Sequence, residues 1–123
     1  VKIMGKFLRS LRAAIDGIVA TAREERHFRF HLFAAACAIA AGGVGGLAAW
    51  EWLALTFAIM AVVAAELFNT AIERLADRVC REQDPLIGRA KDCGAAATLV
   101  AAGAALITGA VVFLPRIMGW LVD

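Results

Sequence analysis

The chain has 123 residues, 62% of them hydrophobic, and a formal net charge of +2. Its mean hydropathy is +0.75, whereas soluble domains are closer to half apolar, which excludes an ordinary soluble globular domain. The small net charge says little in itself, its distribution says much, and no nucleic acid is expected as a partner.

Residues 1–28 come first. Phe7, Leu8, Leu11, Ile15, Ile18 and Val19 recur at helical spacing, and Lys2, Lys6, Arg9, Arg12 and Asp16 take the other faces. That pattern predicts an amphipathic helix lying on the inner leaflet. The bland alternative is a solvated helix tethered to nothing. A cleavable signal peptide would set its apolar core directly after the basic residues, and this pattern is amphipathic instead.

Residues 29–50 read as the first transmembrane helix, with Phe30 to Ala49 long enough to span. Gly42-Gly43-Val44-Gly45-Gly46 lacks the Lys-Ser/Thr of a phosphate loop. It reads as close helix packing or a helix end, with Gly42 and Gly46 at GxxxG spacing. Trp50 and Trp52 flank Glu51 as interfacial aromatics do. Residues 51–79 read as the second span with a cytoplasmic extension. Asp84-Pro85 predicts an N-cap followed by Pro at the first helical position. The third span, residues 85–115, holds the apolar block Gly94 to Leu114 and is expected to end at Pro115. Core helices of a soluble bundle would keep a polar face, and these blocks have none. No strand alternation occurs anywhere. Cys37, Cys80 and Cys93 have no CxxC spacing and read as packing residues. The fold class is all-α integral membrane: an N-terminal amphipathic surface helix plus three transmembrane helices.

Twelve of the 13 basic residues precede Phe30 or lie between Arg74 and Lys91; Arg116 is the exception. The positive-inside rule then puts the N-terminus and the Arg74–Lys91 loop in the cytoplasm and the C-terminus outside.

The chemistry concentrates on the second span. At about 100° per residue, Glu66, Asn69, Glu73 and Asp77 fall within a sector of roughly 80°. Glu66 follows the apolar run Ala58 to Ala65, and a carboxylate at that depth is a functional-site hypothesis by default. Glu73 and Asp77 suit a hard divalent cation, and Mg2+ typically takes one or two carboxylates plus substrate phosphates. Glu25 lies at the same leaflet before the first span, and Lys91 supplies positive charge for phosphate oxygens. Glu66, the deepest, suits a general base acting on an alcohol. Together they point to phosphoryl transfer onto a lipid hydroxyl, catalysed mostly by positioning and charge neutralisation. Alternatives stand beside each residue. Glu73, Asp77 and the arginines Arg74, Arg78 and Arg81 could be a solvated helix end with i,i+4 pairs. Asn69 could be helix–helix glue. His31 reads as an interfacial histidine with a backbone partner.

Glu66-Leu-Phe-Asn69-Thr-Ala-Ile-Glu73 with Asp77, then Gly88-Arg-Ala-Lys91-Asp92 with Gly94-Ala-Ala, resembles the prokaryotic integral-membrane diacylglycerol kinases and their undecaprenol kinase relatives. The likeness covers nearly the whole chain. It implies a bacterial cytoplasmic (inner) membrane protein, a homotrimer, using ATP and Mg2+ to phosphorylate a membrane lipid alcohol. The implied acceptor is diacylglycerol, giving phosphatidic acid, with undecaprenol as the alternative. By the same resemblance Glu66 matches the base, and Glu25 and Glu73 match the metal carboxylates. Asn69, Asp77, Lys91 and Asp92 match other positions of the site, with Lys91 and Asp92 on the nucleotide. Glu82, Gln83 and Asp84 fall in the nucleotide-contacting loop, although they depart from the proteobacterial pattern. Lys6 stands where an arginine is expected near substrate and nucleotide. Arg23 to His31 looks more like the undecaprenol kinase branch, and Gly88 to Gly94 more like the proteobacterial diacylglycerol kinase branch. Two other function classes compete: a small oligomeric channel or carrier with Glu66 on its path, and a non-catalytic membrane scaffold. A carrier needs none of Glu25, Lys91 and Asp92 at that spacing.

Overall fold

The structure, a computed structural model, describes residues 1–122. Four helices follow one another: α1 (Lys2–Glu24), α2 (Arg26–Gly45), α3 (Ala49–Val79) and α4 (Pro85–Val122). The described residues contain no strand. Three helices are long and apolar enough to cross a bilayer, with mean hydropathies of 1.4, 1.8 and 2.2 for α2, α3 and α4 over their most apolar stretches. This is an all-helical membrane protein.

A single residue separates α1 from α2. Glu25 is extended, with φ −100° and ψ 115°. Its N–H still donates to the Thr21 carbonyl at 2.8 Å, closing α1. The Arg29 guanidinium folds back onto the last carbonyls of α1, donating to Arg23 at 2.9 Å and Ala22 at 3.2 Å. A cation there satisfies orphan acceptors and complements the helix dipole. Phe28, on the next turn, is fully buried.

The turn between α2 and α3 uses its glycines as expected. Gly46 ends α2 with φ 62°, a left-handed position that glycine adopts without strain. Gly42 packs so closely on Trp52 that a Cβ would come within 2.8 Å of the indole ring. Glu51 accepts from the Ala48 N–H at 2.8 Å and starts α3. Beyond the other end of α3, Asp84 Oδ1 accepts from the N–H groups of Leu86 at 2.8 Å and Ile87 at 3.3 Å. Asp84 is therefore the N-cap of α4, with Pro85 in its first turn.

Pro115 does not end its helix; α4 runs through it to Val122. The turn beyond it is anchored by Arg116. Its guanidinium donates to Val112 O at 2.6 Å, Gly45 O at 2.9 Å and both carboxylate oxygens of Glu51 at 2.8 and 2.7 Å. Those bonds tie the turn beyond the proline to the α2–α3 loop.

The long helices α3 and α4 make the main contact, and α1 rests against α2 and α3. Little of the chain is buried: Leu55, Val62 and Ala76 of α3 and Val112 of α4 join Phe28 as the buried apolar residues. Cys37 and Cys93 are exposed free thiols, so they do not pack inside the chain as expected from the sequence; Cys80 is half-buried.

Candidate active site

The candidate site is built from α2, α3 and α4. Glu66 is on α3, at the end of the apolar run, and is only 7% exposed. Its nearest charged or chargeable neighbour is His31 of α2, whose Nε2 stands 3.3 Å from Glu66 Oε1. The sequence reading gave His31 a backbone partner; its neighbour is instead the deepest carboxylate of the chain. The Phe30 ring stands edge-on to the imidazole at 5.5 Å.

One turn towards the water, Asn69 Nδ2 donates to Glu73 Oε1 at 3.1 Å. The other end of this amide, Oδ1, is buried and unpartnered. It lies against Gly94 of α4, where a Cβ would approach it to 2.5 Å. Only glycine allows α4 so close. Asn69 is thus both helix–helix contact and support for Glu73.

Next along the stripe, Lys91 Nζ of α4 donates to Asp77 Oδ1 at 2.9 Å. Arg74 reaches across to the α1–α2 junction, donating to Glu24 Oε2 at 2.6 Å, with Glu25 Oε1 3.8 Å away. The i,i+4 pairs of a solvated helix end are therefore replaced by contacts between helices: Asp77 goes to α4 and Arg74 to the end of α1.

The structure brings Asn69, Glu73, Asp77 and Lys91 onto one α3–α4 seam, while Glu66 faces His31 of α2 and the Glu25 carboxylate stands 3.8 Å from Arg74 without a hydrogen bond to it. Lys6, Glu82, Gln83, Asp84 and Asp92 are exposed. Among the described residues no side-chain hydrogen bond or ion pair joins those five to the seam, and Asp84 is engaged as the α4 cap. Sequence reasoning missed two pairings. His31–Glu66 had a weak signal, since both sit at span ends of one leaflet. Glu51–Arg116, at 2.7 Å on the outer side, had a signal in that Arg116 is the lone basic residue there.

An apolar groove of about 730 Å³ opens between α2, α3 and α4. Small side chains such as Ala38, Ala58, Ala102 and Gly109 leave the space, and His31 is on its rim.

The family model described as prokaryotic diacylglycerol kinase matches residues 12–113. The chain is 37% identical over 114 residues to the undecaprenol kinase of Bacillus subtilis, covering 93% of each. It is 34% identical over 122 residues to the diacylglycerol kinase of Synechocystis, covering 98% of this chain and 70% of that one. Against the diacylglycerol kinase of Escherichia coli K12 the identity is 46% over 54 residues, 44% of each chain. The chain therefore belongs to the prokaryotic diacylglycerol kinase family and is a membrane-embedded lipid kinase acting on an alcohol.

Proposed function

We propose that this kinase transfers the γ-phosphate of ATP to the hydroxyl of diacylglycerol, giving phosphatidic acid. The observation that carries the mechanism is the stripe on α3, which leads from a buried carboxylate at Glu66 to the charged pair Asp77–Lys91 at the water boundary. Glu66 takes the hydroxyl proton as the lipid oxygen forms its bond to the γ-phosphorus. The bond from that phosphorus to the bridging oxygen breaks, and ADP leaves. Lys91, held by Asp77, faces the phosphates, with Asp92, Glu82, Gln83, Asp84 and Lys6 as further nucleotide contacts. Asn69 holds Glu73 in place.

Glu25 and Glu73 are the residues that would hold Mg2+. Their donor set fits. Glu73 accepts only the Asn69 amide among the described residues. Glu25 is in extended backbone at the helix junction, with its nearest cation at the long distance of 3.8 Å. No three acidic, His or Cys side chains among the described residues form a closed cage; Mg2+ needs only one or two carboxylates when phosphates complete its shell. An ion held there would neutralise charge on the transferring phosphoryl group.

The chain works as a homotrimer with α1 on the inner leaflet, the N-terminus and site in the cytoplasm and the C-terminus outside. In support, only 11%, 22% and 6% of the most apolar stretches of α2, α3 and α4 are buried within one chain. Residues Phe7, Leu8 and Leu11 of α1 are likewise exposed.

A second reading has undecaprenol as the acceptor. It is favoured by the match to the Bacillus subtilis undecaprenol kinase, which covers 93% of each chain. A side-by-side kinase assay in detergent micelles decides. Diacylglycerol should show the higher kcat/KM; a higher value for undecaprenol replaces the first reading with the second, and phosphorylation of neither overturns both.

A further inference from the structure

Glu66 is an acid among Ala, Val and Leu side chains, and a buried carboxylate is costly unless a donor faces it. Among the described residues, one side chain comes within ion-pair distance of it, His31, at 3.3 Å. The contact crosses from α2 to α3 and is sheltered, with side-chain exposures of 23% for His31 and 9% for Glu66. The imidazole is itself fixed from one side by the edge-on Phe30 ring, at 75°. It is also one of the few polar groups lining the apolar groove between the spans, beside Cys37.

We propose that His31 is a positioning residue for phosphoryl transfer, turning the Glu66 carboxylate towards the lipid hydroxyl at the rim of that groove. The proposal rests on the reading of Glu66 as the base. In the structure the pair is a 3.3 Å contact rather than an aligned hydrogen bond; a small turn of the ring would let an Nε2–H donate to Oε1. With that oxygen engaged, Oε2 is the one left for the lipid hydroxyl, and the proton taken in the reaction stays on Glu66. A separation of 3.3 Å exceeds the roughly 2.7–2.9 Å of a strong charge-assisted bond. Such contacts are often loose without substrate and tighten in the reacting complex.

Three variants separate positioning from packing. His31→Gln keeps an N–H donor at similar reach. His31→Asn is polar but shorter by one methylene, and His31→Phe keeps a ring without a donor. Misplacing a catalytic group by about 1 Å can cost roughly 100-fold, so His31→Phe and His31→Asn should lower kcat about 10- to 100-fold with KM for ATP unchanged. His31→Gln should recover most of the loss. Combined with Glu66→Gln, His31→Phe should add no further loss, because the two residues act as one unit. Parental kcat in both His31→Phe and His31→Asn overturns the proposal. So does equal impairment of all three variants with a lowered unfolding midpoint, or a loss that multiplies with Glu66→Gln. Glu66→Gln measured alone keeps the two ideas apart. If it is impaired while His31→Phe is not, only the positioning role falls; if it keeps parental kcat, the base reading falls and takes this one with it.

Discussion

Glu73 and Glu25 approach the seam differently. Glu73 sits mid-helix with its carboxylate steadied by Asn69 at 3.1 Å. Glu25 is in the one-residue break between α1 and α2, where backbone geometry rather than a side-chain bond sets its direction. Glu73→Gln should therefore abolish turnover while the proposed oligomer stays intact, since it removes the proposed metal carboxylate without disturbing a helix. Glu25→Gln should raise the Mg2+ concentration needed for half-maximal rate, or abolish turnover too. A Mg2+ titration of both variants checks this, and near-parental activity of Glu73→Gln at ordinary Mg2+ would refute the assignment. The stripe itself was legible in the sequence, because Glu66, Asn69, Glu73 and Asp77 share one helix and need only its period. The partners His31 and Gly94 were not legible as contacts. Both lie on other helices, and helix rotation about its axis is decided by packing, which hydropathy does not record.

Among the elements, the turns and caps were readable from local rules: Asp84-Pro85 caps α4, and Gly46 ends α2 in a left-handed position. Pro115 misled because α4 runs on past it, and the Arg116 anchor beyond it was not legible locally, since Glu51 and Gly45 are 65 and 71 positions away. Two glycines test what helix packing does for the site. A Cβ on Gly42 would meet the Trp52 ring at 2.8 Å, and one on Gly94 would meet Asn69 Oδ1 at 2.5 Å. Overpacking of this kind costs about 1–3 kcal/mol. Gly42→Ala should lower the unfolding midpoint in detergent while leaving KM for ATP and lipid unchanged, because it acts at the outer end. Gly94→Ala displaces an amide that holds Glu73, so it should reduce kcat out of proportion to its effect on the midpoint. Equal effects of the two variants on kcat would contradict this division between outer end and site.

For the whole molecule, three spans and a basic N-terminal side require the termini to lie on opposite faces of the membrane. A reporter active only in the cytoplasm, fused after Asp123, should be silent, and one active only outside should give signal; the reverse pattern would invert the topology. On the proposed function, a nucleotide from the water side and a hydroxyl from the lipid side would meet at Glu66. The central claim is therefore tested most directly by transfer of the labelled γ-phosphate of ATP onto lipid by the purified protein, comparing parent and Glu66→Gln. General-base catalysis is typically worth about 10²–10⁴-fold, so the variant should lose kcat on that order while binding ATP and remaining assembled. An assembled, ATP-binding Glu66→Gln protein that labels lipid at close to the parental rate would contradict it.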